Sequence, residues 1–269
     1  MYLAFLTVLG CRPPVAVVPS SAHLSYEVAV VLVSGDRTVT SVYELQVEAA
    51  GDGVLVFSTL DTEGTWEEPG QALYFDSRAP KASDPWPLTV QHAIASVPAA
   101  VELGEGGSPL RLVDADGWAE AGRSAVTALG LPGQAMTTAE ALLDPDGYLR
   151  DLRRNFPGTP PDEGTWQRAE RIVGVDSLRS ESCISVRVGP STTWQCEGRI
   201  DGEIEGRAKL HDTTSATTIV ADRHGVERME SHFEGFVVLP TADGRAITRG
   251  VGGRRLVQRT GSPGNKPTE

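Results

Sequence analysis

The sequence lacks the short motifs by which common catalytic and nucleotide-binding sites are recognised. It contains no HExxH, no GxSxG, no Walker or GxGxxG loop and no CxxC pair. Such motifs place metal ligands, nucleophiles or phosphate-binding amides at fixed spacings. Their absence argues against the enzyme classes that depend on them. We therefore predict a protein that is not an enzyme and that holds no cofactor or metal ion.

A surplus of positive charge is lacking as well. Lysine and arginine number 24 against 36 aspartates and glutamates, which gives a net charge of −12. All of the acidic excess lies within residues 1–150. Nucleic-acid binding needs a net cationic surface, so nucleic acid is excluded as a partner, and a well-solvated acidic surface is the simplest interpretation.

No segment has the roughly 20 consecutive apolar residues that a membrane-spanning helix needs. Residues 1–11, MYLAFLTVLGC, form only a short apolar run, which is typical of an export signal. The end of this run, Leu9-Gly10-Cys11, resembles the lipobox of bacterial lipoproteins. That resemblance implies a signal peptide over 1–10, acylation of Cys11 and a proline-rich tether over 11–22. A plain signal peptide and a buried first strand are the alternatives.

The composition favours strands joined by turns, because the chain has 29 glycines and 18 prolines, many of them in pairs. Alternation of apolar and polar residues predicts strands at 24–32, 39–47, 54–59, 71–76, 110–113, 165–175, 182–188, 192–199, 203–211, 215–221, 226–238, 245–250 and 254–259. Turn signals recur at short spacing among the later strands, as an antiparallel meander requires. The last residues, 260–269, are expected to form a disordered tail.

Between about residues 85 and 156 helix formers replace the strand pattern. Residues 119–129 predict a helix, and Thr137 with Glu140 fits a capping box at the start of another. Asp144-Pro145 predicts the N-cap and first-turn proline of a helix through Arg154. Residues 88–101 are compatible with either helix or strand. We expect one β-rich domain, 23–259, in which this helical insert covers one face of the sheet.

Two of the three cysteines are predicted to lie opposite each other in a hairpin. Residues 183–188 alternate with a period of two until Gly189-Pro190, and the alternation resumes at Trp194 and Cys196. A two-residue or a four-residue loop at Gly189-Pro190 sets Cys183 opposite Cys196 in either case. In an exported chain such a pair tends to close as a disulfide. Reduced buried thiols and a redox-active pair are the alternatives.

The histidines, at positions 23, 92, 211, 224 and 232, are scattered. His224 and His232 share strand parity and His211-Asp212 would approach them across the meander, which allows a metal or acid–base cluster, although isolated strand histidines explain the same pattern. Two Asp-x-Asp-Gly segments, 114–117 and 144–147, lack the later ligands of a calcium loop and predict a hairpin turn and a helix cap.

Basic residues are concentrated near the end of the chain. Between Arg245 and Lys266 there are six basic residues and no acidic ones. Such a segment can contact anionic headgroups. Exposed strand faces and a solvated tail account for the same residues without a ligand.

Three stretches together resemble a family of exported bacterial β-rich lipoproteins, a domain of unknown function. They are LYFDSRAP at 73–80, the Asp-x-x-Gly turn within LRLVDADGWAE at 110–120, and FPGTPPDEGTWQ at 156–167. In place of the Leu-Pro and Gly-Asp-x-Trp elements of that family, this chain has Phe156-Pro157 and Glu163-Gly164-Thr165-Trp166. The resemblance implies no activity. The expected architecture is also similar to the lipid-carrier half-barrels of lipoprotein transport.

These observations predict a mainly β (α+β) fold, a curved antiparallel sheet or half-barrel with the helical insert against one face. The predicted function is that of a non-enzymatic lipoprotein of the bacterial cell envelope, anchored in the membrane through Cys11. It would hold an apolar or lipid ligand, such as an acyl chain, between sheet and helices. The alternative is a structural or protein-interaction module with a fully packed core. The sequence identifies neither ligand-binding residues nor a protein partner.

Overall fold

The structure is a computed structural model, which describes residues 23–51, 53–81, 83–104, 107–131, 133–157, 164–172, 175–204, 208–222, 224–240 and 246–261. The strands are β1 (His23–Ser34), β2 (Arg37–Gly51), β3 (Val54–Glu68), β4 (Gln71–Asp76), β5 (Ala99–Leu103), β6 (Pro109–Leu112), β7 (Gly164–Ile172), β8 (Val175–Val188), β9 (Ser191–Ile204), β10 (Ala208–Asp222), β11 (Gly225–Pro240) and β12 (Ala246–Arg259). The helices are α1 (Trp86–Ala95), α2 (Ala115–Ala128), α3 (Gly133–Leu142) and α4 (Pro145–Asn155). No helix in this part of the chain is of the length and hydropathy needed to span a bilayer. The predicted signal peptide, Cys11 and tether lie outside the described residues, as does the tail beyond residue 261.

All of these strands belong to one antiparallel sheet. Its order is β6-β5-β3-β2-β1-β12-β11-β10-β9-β8-β7, and β4 adds to the second half of β3. The sheet is curved and open, since β6 and β7 stand at opposite ends of this order. The two halves of the chain are joined where β1 pairs with β12. This pairing extends from the partners Tyr26 and Arg259 to the partners Ser34 and Val251. The predicted fold class, with its helices between β4 and β7, is confirmed.

One face of the sheet, called the inner face below, carries the core and the helices. Cross-strand partners on this face form a buried row across six strands, whose members are Val28, Val257, Met229, Ile219, Trp194 and Ser185. Helix α1 packs through Leu88 against Gly64 of β3. Phe156, directly after α4, packs on Tyr26 of β1. The interior is therefore one continuous cluster that reaches from the helices to the disulfide hairpin.

Glycines on the inner face make room for large neighbouring side chains. A Cβ on Gly253 would lie 2.5 Å from a ring carbon of Phe233 and 3.0 Å from a methyl group of Leu32. On Gly198 it would lie 2.6 Å from Cγ of Glu181. Glycine inside a strand typically marks a tight bend or a close approach. Here the absence of a side chain at each glycine leaves room on the inner face for the large side chain of a neighbouring strand.

Those glycines explain one wrong prediction, and a bulge explains another. The segments 245–250 and 254–259 form the single strand β12, which runs through Gly252-Gly253. The segments predicted as 203–211 and 215–221 are divided differently: β9 continues to Ile204, and β10 is continuous from Ala208 through a bulge at Asp212. Asp212 has a φ of 48°, which interrupts the alternation of side chains without ending the strand.

The helices confirm some capping predictions and overturn others. Asp144 is the N-cap of α4, where its carboxylate accepts hydrogen bonds from the backbone N–H groups of Asp146 and Gly147. Segment 114–117 is not a hairpin turn, because Asp114 caps α2 by accepting from the N–H of Gly117 at 2.9 Å.

The predicted capping box of Thr137 with Glu140 is wrong, because both residues lie inside α3, which begins at Gly133. The ambiguous segment 88–101 contains most of α1 and the first part of β5. For the two predictions that failed, those at Asp114 and Thr137, a carboxylate or hydroxyl followed by helix formers fits several positions near a helix start. The exact start of the helix therefore depends on packing.

Candidate ligand-binding face

A row of apolar side chains crosses the inner face beside the helices and remains partly open to solvent. Val39 of β2 pairs with Trp66 of β3 on one side and with Leu32 of β1 on the other. Gly253 of β12 lies between Leu32 and Phe233 of β11. Leu32 is 47% exposed, and Val39, Trp66 and Phe233 are half-buried. We call Trp66, Val39, Leu32 and Phe233 the open strip; it crosses four strand spacings, about 19 Å.

The rows on either side of the open strip are mainly polar. On the side of the helices the neighbouring inner-face residues include Ser41, Arg255 and Ser231. On the opposite side they include Arg37 and Ser34, which pair with each other beside the β1–β2 turn. The open strip is therefore an apolar lane with hydrogen-bonding groups along both margins, although Val30 on the helix side and Val251 on the other side are apolar.

Helix α4 borders the open strip and is fixed to the sheet by a polar cluster. Arg255 of β12 donates a hydrogen bond to Oδ1 of Asn155 at 2.9 Å and lies 3.7 Å from a carboxylate oxygen of Asp151. Tyr43 of β2 also hydrogen-bonds to Asn155, and burial raises the pKa of this tyrosine. The tyrosine therefore stays neutral at physiological pH, and the charges of the cluster are those of Arg255 and Asp151.

Helix α1 borders the same side of the strip over β3 and β4. Thr62 Oγ1 and His92 Nδ1 are 3.0 Å apart, and the imidazole ring of His92 lies beside the ring of Phe75. Burial lowers the pKa of His92, an effect that the nearby carboxylate of Asp61 opposes. A neutral imidazole that bonds to a strand hydroxyl serves to dock the helix.

The space beneath the C-terminal end of α4 is filled by an aromatic side chain. Phe156 is fully buried, with its ring centroid 5.1 Å from that of Tyr26 and 5.6 Å from that of Phe57. This part of the interface between sheet and helices is packed like an ordinary protein interior. The accessible apolar surface of the inner face lies beside the helices, along the open strip.

The predicted disulfide is present between Cys183 and Cys196. The two residues are direct cross-strand partners, as both predicted loops require, and the pairing of Val188 with Ser191 shows the two-residue loop. Both cysteines are buried on the inner face. The disulfide therefore joins β8 to β9 inside the core.

The disulfide lies beside a buried carboxylate. Glu181 is 3% exposed and accepts a hydrogen bond from Oγ of Ser215 at 3.2 Å. Among the described residues, Glu181 with the two cysteines is the one group of three potential metal ligands. The two sulfurs are bonded to each other, so neither is available as a thiolate ligand.

The histidines do not come together. The backbone N–H of His224 donates to Asp222 in the turn before β11, His211 lies beside its neighbour Asp212, and His232 is opposite Ala216. Within the described residues no group of three potential metal ligands contains a histidine. The conceivable metal or acid–base cluster at these positions is therefore not formed.

The arginines of β12 occupy distinct environments. Arg259 forms two hydrogen bonds with the carboxylate of Asp222, at 2.7 and 3.1 Å, next to the buried Tyr26. Arg254 pairs with Glu230 at 2.7 Å on the outer face. Arg249 has no carboxylate partner within the described part of the chain. Of the basic residues of this segment that the structure describes, Arg254, Arg255 and Arg259 have structural partners and Arg249 has no carboxylate partner.

Comparisons with known proteins support the fold and leave the family open. No protein-family model and no curated protein sequence matches the chain, so the resemblance to exported β-rich lipoproteins of unknown function remains a prediction. A lipovitellin structure, described as "Lipid-protein interactions in lipovitellin", matches with a TM-score of 0.56 and 9% identity over 92% of this chain and 26% of that one. The chain thus spans about a quarter of lipovitellin. A LolA superfamily protein from Nitrosomonas europaea matches with a TM-score of 0.25 and 9% identity over 93% of this chain and 89% of that one.

Proposed function

We propose that the protein is a non-enzymatic lipoprotein of the cell envelope that holds an apolar ligand, such as an acyl chain, on the inner face of its sheet. The observation that carries this proposal is the open strip. Its four apolar side chains come from four strands and remain accessible beside the helices. An acyl chain laid against them would gain about 0.8 kcal/mol for each methylene removed from water.

The position of the strip on the helix-bearing face supports a small ligand. The strip runs from β3 to β11 across the middle of the sheet, and α1 and α4 border one long side. Ligand sites are usually concave and mostly apolar, with a few polar groups that fix orientation. The fold likeness to lipovitellin, whose solved structure is described in terms of lipid–protein interactions, supports the same class of ligand.

A protein-interaction module is the second candidate, and an outer-face feature favours it. Ile184, Val186 and Val188 project from β8 away from the core, and Val188 is 71% exposed. Within the described residues the pairing of β7 with β8 begins at Gly164 and Ser185 and does not include Val186 or Val188. An apolar, partly unpaired strand end of this kind suits contact with another protein chain.

We propose that Cys11 is the acylated mature N-terminus and that the folded domain is held at a membrane by it. The proposal is supported by Leu9-Gly10-Cys11 and by the proline-rich residues that follow. Two or more acyl chains bind a membrane far more firmly than one. The protein would then reach its ligand close to the membrane surface.

The ligand is best sought in protein extracted from its own host membrane. Native mass spectrometry should show the chain with an additional noncovalent mass of acyl-lipid size. Phe233→Gln should lower the occupied fraction because it removes one member of the open strip. Phe236→Gln is the matched control, since Phe236 is 48% exposed on the outer face of the same strand. Absence of any bound mass, or equal losses in both variants, would favour the protein-interaction module.

A further inference from the structure

Two arginines flank the β1–β2 turn at one margin of the open strip. Arg37 and Arg249 both lie at inner-face positions of their strands, because their cross-strand partners, Ser34 and Val237, are inner-face residues. The guanidinium carbon of Arg37 lies 5.1 Å from the ring centroid of Trp66, a member of the strip. The Cδ of Arg249 lies 3.3 Å from the position that a Cβ on Gly35 would occupy. Arg37 therefore adjoins the apolar lane on the side away from the helices, and Arg249 lies farther along β12, two inner-face positions past Gly253, at the same turn.

The ion pairing of these arginines leaves donors available. Arg37 donates a hydrogen bond from Nη2 to Glu68 at 3.1 Å, but a guanidinium carries five N–H donors. Arg254, Arg255 and Arg259 of β12 each lie within 4 Å of a carboxylate. Arg249, on the same strand, has no such partner among the described residues. In a chain with a net charge of −12, an arginine to which the described residues offer no carboxylate is a distinctive feature at the turn beside one margin of the strip.

We propose that the ligand of the open strip is a long-chain fatty acid, with its chain along the strip and its carboxylate between Arg37 and Arg249. This inference rests on the proposed function and specifies its ligand. The strip is a single cross-strand row of apolar side chains bordered mainly by polar ones, which provides a lane for one acyl chain. Arginine is well suited to a carboxylate, because its planar guanidinium can donate two parallel hydrogen bonds.

The contribution of the ligand's carboxylate can be separated from that of its acyl chain by comparing palmitic acid with hexadecanol, which has the same chain length and no charge. Each would displace a fluorescent acyl probe from the full chain, purified from its membrane and freed of bound lipid. The wild-type protein should bind palmitate about 3- to 10-fold more tightly than hexadecanol, the range for a partly exposed charge-assisted contact. Added salt should reduce this preference, because it screens exposed charges.

Variants assign the preference to particular residues. Arg249→Gln should bring the affinity for palmitate to the level of hexadecanol and leave the affinity for hexadecanol unchanged. Arg37→Gln should act in the same direction. Arg254→Gln is the control, because Arg254 lies on the outer face of the same strand, and it should keep the preference intact. Arg249 is exposed, so the fold should tolerate its replacement, which circular dichroism verifies.

The possible failures are distinguishable. If palmitic acid and hexadecanol bind equally, or if Arg249→Gln keeps the preference for palmitate, the carboxylate site is wrong while the apolar strip stands. If neither compound displaces the probe, both the carboxylate site and the proposed function are wrong.

Discussion

Leu32 and Ile184 are exposed to almost the same extent, 47% and 48%, but lie on opposite faces of one sheet. Leu32 lies over Gly253 in the open strip on the inner face. Ile184 follows the buried Cys183 and therefore points to the outer face. Substituting each of the two residues in turn therefore separates the general effect of removing an exposed apolar side chain from the particular effect of disrupting the open strip.

The disulfide should contribute substantially to stability. Cys183 and Cys196 are 13 residues apart, and closing a loop of this size stabilises a protein by about 3 kcal/mol in the chain-entropy estimate. The double variant Cys183→Ala with Cys196→Ala should therefore unfold at lower urea concentration, with a loss of about 2–3 kcal/mol. Alkylation of the unreduced, denatured wild-type protein should label neither cysteine, and labelling of both would disprove the bridge.

The partly buried pair of Asp222 and Arg259 should matter more than the more exposed pair of Glu230 and Arg254. The side chains of Asp222 and Arg259 are 21% and 9% exposed, whereas those of Glu230 and Arg254 are 34% and 63% exposed. Asp222→Asn leaves a largely covered guanidinium without its counter-charge and should cost about 2–3 kcal/mol in the free energy of unfolding, less than for a fully buried pair. Glu230→Gln should cost less than about 1 kcal/mol. Urea titrations at neutral pH measure both, and equal costs would contradict this account.

The same pair predicts a dependence of stability on pH. Burial alone would raise the pKa of Asp222, but hydrogen bonds from Arg259 and from the backbone N–H of His224 outweigh it and hold the pKa below its ordinary value. A carboxyl group with a lowered folded-state pKa stabilises the fold above its unfolded pKa, and this stabilisation is lost as the pH falls through the folded pKa. The difference in stability between wild type and Asp222→Asn should therefore shrink below about pH 4. A constant difference down to pH 2 would exclude this role.

Phe156 should anchor α4 to the sheet. Its buried ring contacts Tyr26 and Phe57, and removing such a ring leaves a cavity. Phe156→Ala should lower the free energy of unfolding by about 3–5 kcal/mol. Leu142→Ala in α3 serves as a comparison because Leu142 is 39% exposed; its cost should be much smaller. A cost for Phe156→Ala as small as that of the comparison would show that the interior beneath α4 is not packed.

Acylation of Cys11 makes a prediction about location. Cys11→Ser should move the protein from the membrane fraction to the soluble fraction, and its mass should lack the acyl groups of the wild type. The reason is that the acyl chains supply the membrane affinity. Cells that express wild type and variant side by side provide the comparison. A Cys11→Ser variant that stays in the membrane fraction at the same mass as the wild type would show that Cys11 is not the anchor.

Local features of the sequence predicted local structure well. The period of two before Gly189-Pro190 determined the register of Cys183 with Cys196, since both feasible loops give the same pairing. Asp144-Pro145 located the start of α4, because a carboxylate cap and a first-turn proline reinforce each other. These successes depend on residues that are close together in the chain.

The open strip was missed because its members are far apart in the sequence. Leu32 and Phe233 become neighbours only through Gly253, when β1 pairs with β12 and β12 with β11. No alternation pattern identifies which strands pair across that distance. Gly252-Gly253 was even interpreted as a break between strands, although Gly253 is the residue that accommodates Leu32 and Phe233. Helix α1 was ambiguous for a related reason, because its docking depends on contacts with Thr62 and Phe75 of earlier strands.

The most direct test of the central claim is the affinity of an uncharged fluorescent acyl probe for Leu32→Gln and Ile184→Gln, measured by titration beside the wild type. Glutamine removes apolar surface without adding charge, and burial of a leucine side chain is worth about 1.5–3 kcal/mol. We predict that Leu32→Gln weakens binding about 10-fold or more, whereas Ile184→Gln leaves it unchanged. Equal affinities for the two variants would contradict the assignment of the ligand to the inner face.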